Sequence, residues 1–348
     1  MLQPKHLAGM MLCTVCLFPG KLVNAQAHRE LAVVPVVSSV LEDLDGSVLG
    51  ARPMQIESSP RGGLIATDWG DFSVREISLA GDVLWRTGRR GQGPGEFLLF
   101  LDLEVDQQGH IRILDPRNRR ITLLDGTGSL IETVPLPPSR EPAALLPRSF
   151  DPGHQTVMWH TNKRDTLWSS FSTTNRLSRH ASMPDSIGAL FEHPLEGEGW
   201  AANGPDGDVV IYFRWSSKMI LLDDNGGVRS VVEGIEQVPF PGTTYIERTI
   251  PDRGSIRGFK IDPQAIPAAK SVAVGPSRFF VLFRGSTANA GRLVDTYALS
   301  DGVYLGSYLL PHRAEAIAYL ADGRLAVLEN NFIPTVRLLE LPEAPELQ

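Results

Sequence analysis

Between Arg89 and Leu136 the chain alternates short apolar runs with turn-forming clusters so regularly that few architectures accept it. Arg-Arg-Gly-Gln-Gly-Pro-Gly-Glu-Phe (Arg89 to Phe97) leads into a run at Phe100 to Val105, and Asp106-Gln-Gln-Gly109 separates that run from His110 to Leu114. Asp115-Pro-Arg-Asn118 then precedes Arg120 to Leu124, and Asp125-Gly-Thr-Gly128 precedes Ser129 to Leu136. Four strand-like segments joined by such turns make an antiparallel meander. Gly109 and Gly128 fall where a tight turn asks for positive φ, which strains any other residue. Asp115 and Asn118 can fold their side chains back onto turn amides, favouring a turn over a continued strand. Ile111, Ile113, Ile121 and Leu123 alternate with His110, Arg112, Arg120 and Thr122, which predicts one buried and one wetter face for each strand.

A four-stranded meander of this kind is the unit of a β-propeller blade. The same rhythm recurs. Met54 to Arg86 reads as a first blade and Leu145 onward as a worn third. Asp206 to Val232 reads as a fourth, Ser271 to Leu310 as a fifth and Ala316 to Leu341 as a sixth. First-turn glycines at Gly62 and Gly109 are 47 residues apart, and those at Gly275 and Gly323 are 48 apart. Units near 40 to 50 residues point to a propeller rather than a sandwich. The sixth unit supplies only three strands, and the isolated apolar segment Leu31 to Leu41 is placed to provide its fourth, removing an exposed sheet edge. The expectation is therefore an all-β, six-bladed β-propeller closed by an N-terminal strand joining the last blade. Two joins exceed the repeat, at 183–200 and at 234–266, and long joins of this kind carry function or lack order.

The unit from Gly95 to Gly128 resembles a blade of the six-bladed NHL-repeat propellers. The matching positions are Gly95-Glu96-Phe97, Asp106 with Gly109, Asp115, Asn118, Arg120 with Ile121, and Asp125 with Gly128. The match is specific over about forty residues and partial elsewhere. The resemblance implies a fold; propellers host many unrelated activities, so it implies little about function.

Residues 1–27 read as a secretory signal peptide. Lys5 and His6 precede an apolar core from Leu7 to Phe18, shorter than the ~20 residues of a membrane span, and Ala25-Gln26-Ala27 offers a small-x-small cleavage site. Residues 28–348 are then one exported domain, periplasmic or extracellular, with no transmembrane segment. Both cysteines, Cys13 and Cys16, lie in the leader, so the mature chain is held by its core without disulfides. It carries 31 basic and 40 acidic residues, a formal charge of −9, which argues against general nucleic-acid binding.

In a propeller the inter-blade joins share a face with the turns between second and third strands. That face gathers Arg89, Arg90, Arg117, Arg119, Lys163, Arg164, Arg248, Arg253, Arg257, Lys260, Arg284 and Arg292, against fewer acids. A cationic rim over a central funnel attracts anions, and Arg holds a carboxylate or sulfate bidentately. The leading expectation is a non-catalytic binding or scaffold module for a protein, peptide or glycan ligand of acidic character. Plain solvated loop charge is the bland alternative. Trp69 and Trp215 fall on turns of the same face and are candidates for stacking on sugar rings, whereas inter-blade packing is the default role for a tryptophan.

Gly91 to Gly95 is read as an inter-blade connector rather than a phosphate cradle, because no Lys-Ser or Lys-Thr follows and Pro94 removes an amide donor. The histidines show no ligand spacing, so no metal and no cofactor is expected. The alternative function is a lactonase-like propeller hydrolase or lyase with its site at the channel mouth. Asp102, His312 and Glu315 are the candidates for it.

Overall fold

The computed structural model describes residues 33–136, 144–145, 156–159, 166–171, 177–182, 198–204, 206–250, 254–285 and 287–341. The leader, its cleavage site and most of the 183–200 join lie outside the described residues. Every named element is a strand. β1 (Val36–Glu42) is followed by the sheet of β2 (Pro53–Ser58), β3 (Leu64–Asp68), β4 (Ser73–Ile77) and β5 (Val83–Thr87). Next come β6 (Asp102–Val105), β7 (Ile111–Asp115), β8 (Arg120–Leu124) and β9 (Leu130–Pro135). The sheet of β10 (Ala144–Leu145), β11 (Thr156–Trp159), β12 (Thr166–Phe171) and β13 (Leu177–Ser182) is described by its strands alone. β14 (Gly199–Asn203), β15 (Val209–Phe213), β16 (Lys218–Leu222) and β17 (Val228–Glu233) form another.

A two-stranded hairpin follows, β18 (Thr243–Ile250) with β19 (Gly254–Ile261). Then come β20 (Ala269–Val274), β21 (Arg278–Phe283), β22 (Leu293–Ala298) and β23 (Tyr304–Leu309), and finally β24 (Ala316–Tyr319), β25 (Leu325–Asn330) and β26 (Pro334–Glu340). The last three are joined on their outer side by β1, which runs antiparallel to β26 from Val36 opposite Glu340 to Glu42 opposite Thr335. Among the described residues this makes six four-stranded sheets and one two-stranded hairpin. The hairpin fills the 234–266 join, so that stretch has regular structure of its own and is not the bare loop its length suggested.

The first strands of successive sheets lie side by side: β2 touches β6, β6 touches β10, β10 touches β14, β14 touches β20, β20 touches β24 and β24 touches β2. Apolar residues fill the spaces between sheets. One cluster joins Ile56 and Ile77 of the first sheet to Ala318 and Leu328 of the last, and another joins Tyr212 and Leu221 to Val272 and Phe279. Each fully buried Leu, Ile or Phe stabilises by roughly 1.5–3 kcal/mol relative to its exposed state.

Because neighbours cover both faces of a sheet, the alternation read from the sequence does not separate a dry face from a wet one. Arg112, expected on the wetter side, is 3 % exposed and forms an ion pair with Glu104, and Thr122 is buried. Tryptophans pin sheet to sheet. The Trp85 Nε1–H donates to Gly126 O at 3.0 Å, and the Trp168 Nε1–H donates to Gly226 O at 2.9 Å. A Cβ on Gly128, whose φ is +78°, would lie 2.4 Å from the Trp85 ring, so close approach and backbone conformation both require glycine there.

Candidate functional site

The first strands β2, β6, β14, β20 and β24 line a cavity of about 620 Å³, together with residues of the adjoining inter-sheet joins. Its wall takes Gln55 and Glu57 from β2, Asp102 from β6, Trp200 from β14 and Lys270 from β20. Trp69, Arg214 and Arg284 each follow the second strand of their sheet, and Glu315 immediately precedes β24; all four reach the same cavity.

Lys270 is the best-defined charge. Its Nζ sits 2.5 Å from Glu315 Oε2 and within 3.5 Å of Ala314 O. Burial lowers its pKa, an effect opposed by Glu315. Beside it, the Tyr212 hydroxyl donates to Lys270 O at 2.9 Å, and burial holds the Tyr212 phenol well above its usual range. The guanidinium of Arg284 makes no ion pair among the described residues. Arg214 is bound to Glu198 at 3.2 Å and lies over two indoles, 5.5 Å from the Trp200 ring centre and 4.6 Å from that of Trp215. Such cation–π contacts fix both partners in place.

Two tryptophans shape the walls. Trp200 stacks on Tyr212 with centroids 5.6 Å apart, and Trp69 has Arg52 over its ring at 5.5 Å. Trp69 Nε1 is buried with no hydrogen-bond partner. Deeper in the channel, Glu57 opens onto the lumen yet is surrounded by protein. Burial, then the carboxylates of Asp102 and Glu104, raises its pKa to about 8.

The residues expected from sequence divide sharply. Trp69, Asp102 and Glu315 line the cavity. Trp215 does not: it is 5 % exposed and its Nε1–H donates to Glu198, so it is packing under Arg214 and offers no face to a sugar. Arg89 is tied to Glu96 at 2.6 Å, and Arg90 lies over Phe72 at 5.5 Å. Arg117 and Arg119 occupy the exposed β7–β8 turn, Arg119 with φ +52°. None of these four arginines reaches the cavity. Arg292 donates to Leu310 O and belongs to the loop framework. Lys260 is exposed on β19; the side chains of Arg248 and Arg257 on the hairpin, and all of Arg253, Lys163 and Arg164, lie outside the described residues. His312 is exposed on the β23–β24 join, apart from the cavity.

Sequence reasoning missed Lys270, Gln55 and Glu57, which sit at ordinary positions of first strands, and Arg214, whose only signal was its place beside a turn tryptophan. Among the described residues no three His, Cys, Asp or Glu side chains gather as metal ligands, and no helix is long and apolar enough to cross a membrane.

Solved structures share this architecture at low identity. A Bacteroides fragilis protein provisionally described as exported is 11% identical over 89% of this chain and 98% of its own, with a TM-score of 0.54. The WD40 repeats of RRP9 are 11% identical over 88% and 99%, with a TM-score of 0.53. A streptogramin B lyase is 13% identical over 87% and 98%, with a TM-score of 0.51. The chain is thus similar to β-propellers that include both a lyase and a repeat domain, and at such identity the likeness extends to the fold alone. No family profile matches the chain, and no curated protein matches it.

Proposed function

We propose that the chain is an exported, closed six-bladed propeller that acts as a binding module, and that its ligand site is the axial cavity rather than the outer loop rim. The ligand is acidic, either a short peptide or the end of a glycan chain, with a flat apolar portion. The observation that carries this reading is the convergence of Lys270, Arg284 and Arg214 with the indoles of Trp69 and Trp200 on one opening. Cations set into the wall of a cavity hold a carboxylate more strongly than fully exposed loop arginines do, and an indole face complements a sugar or aromatic ring. A cavity of this volume lies within the roughly 300–1,000 Å³ usual for small-ligand sites.

The test is a binding screen of the protein against uronate oligosaccharides and acidic peptides, repeated with Lys270→Met and Arg284→Gln. At least one acidic ligand should bind, and each substitution should weaken it about tenfold or more, the ~1.4 kcal/mol scale of one lost charge-assisted contact. No binding by any member, or equal binding by both variants, defeats the proposal.

A second reading, a hydrolase or lyase working at the channel mouth, draws support from Glu57. A carboxyl titrating near 8 beside Asp102 resembles the tuning that acid–base catalysis requires. Turnover of a lactone or glycosidic ligand by the wild type but not by Glu57→Gln would favour it; binding without turnover would leave the binding module.

A further inference from the structure

Building on the reading of the axial cavity as a ligand site, we propose that its ligand is zwitterionic, with a carboxylate against Lys270 and Arg284 and a free amine against Glu57 and Asp102. The arrangement of first strands makes the case. Contacts run β2, β6, β10, β14, β20, β24 and back to β2, so β6 lies across the axis from β20 and β2 from β14. Lys270 is on β20, Arg284 follows the next strand of that sheet, and Arg214 follows β15 of the neighbouring sheet. Glu57 and Asp102 are on β2 and β6. Apart from Glu315, which pairs with Lys270, the positive and negative groups therefore occupy opposite walls of one cavity.

A receptor for a simple anion gains nothing from carboxylates on the facing wall, since they repel the ligand. A ligand with both charges uses both walls. The acidic wall also continues into a smaller cavity lined by Glu57, Asp102, Glu104 and Asn203, so the first two carboxylates stand at the junction. Glu104 is occupied by Arg112, but Asn203 Oδ1 is a buried acceptor with no partner, a place for an N–H donor. The raised pKa of Glu57 fits a carboxyl whose cation is still to come. Trp69, beside β3 in the sheet of β2, and Trp200 on β14 face each other across the cavity and would flank the body of the ligand.

Calorimetry with the protein tests this using Gly-Trp-Gly and Gly-Tyr-Glu, each as the free peptide, the N-acetyl form and the C-terminal amide, together with oligogalacturonate. The free peptides should bind, acetylation should weaken them about tenfold, and Glu57→Gln should abolish the difference between free and acetylated forms. Equal binding of free and acetylated peptides, or binding only of oligogalacturonate, overturns the zwitterion proposal while leaving the acidic-ligand site intact. No binding by any probe overturns both. If Glu57→Gln fails to fold, Asp102→Asn gives the same comparison.

Discussion

The lead-in to the second sheet and the axial cavity each gather several charged groups, and they are built in opposite ways. In the lead-in, every conspicuous group is spent on its own loop. Asn118 donates to Gly91 O at 2.9 Å and to Asp115 at 2.8 Å, Asp115 accepts from the Leu98 amide at 2.8 Å, and Arg120 reaches Gln92 O at 2.9 Å and Gly93 O at 2.6 Å. Glu96 accepts from the Gly93 amide and from Arg89, which holds its carboxyl below the usual range. In the cavity, Arg284 has no ion pair among the described residues, Trp69 Nε1 has no acceptor and Glu57 keeps its proton near neutrality. Satisfied polar groups build a loop; unsatisfied ones lining a space are available to a ligand.

The contrast is broken most directly by substitution in the lead-in. Arg120→Leu strips several carbonyls of their donor, and the loop between the first two sheets should lose roughly 2–4 kcal/mol of stability by chemical denaturation. Ligand binding by the folded fraction should be unchanged. If the variant keeps its stability but loses acidic-ligand affinity, the lead-in is a binding element and the contrast fails.

Glu57 sharpens the other side. Its carboxyl is protonated in the folded chain up to about 8, against 4.5 when unperturbed, so the native state binds more protons across that window. Its stabilising effect is complete below about 4.5 and lost as pH rises through about 8. The charged groups around it are Asp102 and Glu104, the latter held by Arg112, and the Lys270–Glu315 pair lines the same cavity. Glu57→Gln removes the titration. The variant should match the wild type at pH 5 and exceed it by roughly 1–3 kcal/mol at pH 8.5, the upper part of that range being reduced by water in the channel. Identical pH profiles would mean that Glu57 already has a cation.

Lys270→Met should act on binding rather than folding. It weakens an acidic ligand about tenfold and changes stability by about 1 kcal/mol or less, because the Glu315 carboxylate it leaves is about a third exposed and can be hydrated.

Turn chemistry made the strands legible and hid the site. Asp106, Asp125 and Asp223 accept from amides two and four residues ahead, and Gly109, Gly128 and Gly226 follow with positive φ, all of it local and therefore readable. The face holding the cavity was also readable from strand alternation. Which cations on that face converge was not, because convergence depends on residues from five sheets meeting at the axis. Lys270 occupies an ordinary strand position between Ala269 and Ser271, and Trp69 and Trp215, both just past a second strand, are parted only by the Glu198 carboxylate that captures Trp215. The hairpin β18–β19 was missed because 234–266 was judged only by its excess over the repeat length, and its two strands pair with each other rather than with a sheet of the repeat.

The smallest expected effects belong to the arginines that drew the eye in the sequence. Arg89 is 79 % exposed and its bond to Glu96 is a surface pair, worth about 0–1 kcal/mol. Glu96 also keeps the Gly93 amide at 2.7 Å without it. Arg117 is exposed on its turn, where the backbone amide, not the guanidinium, is held by Asp115. Arg89→Ala and Arg117→Ala, singly or together, should leave stability within about 1 kcal/mol and acidic-ligand affinity within about twofold. The double variant is the more informative, because two rim charges acting by long-range attraction would slow association, and that loss would shrink as salt is raised. A tenfold loss of affinity that persists in 0.5 M salt would require direct contact with the ligand, and would move the site outward from the axis to the loops.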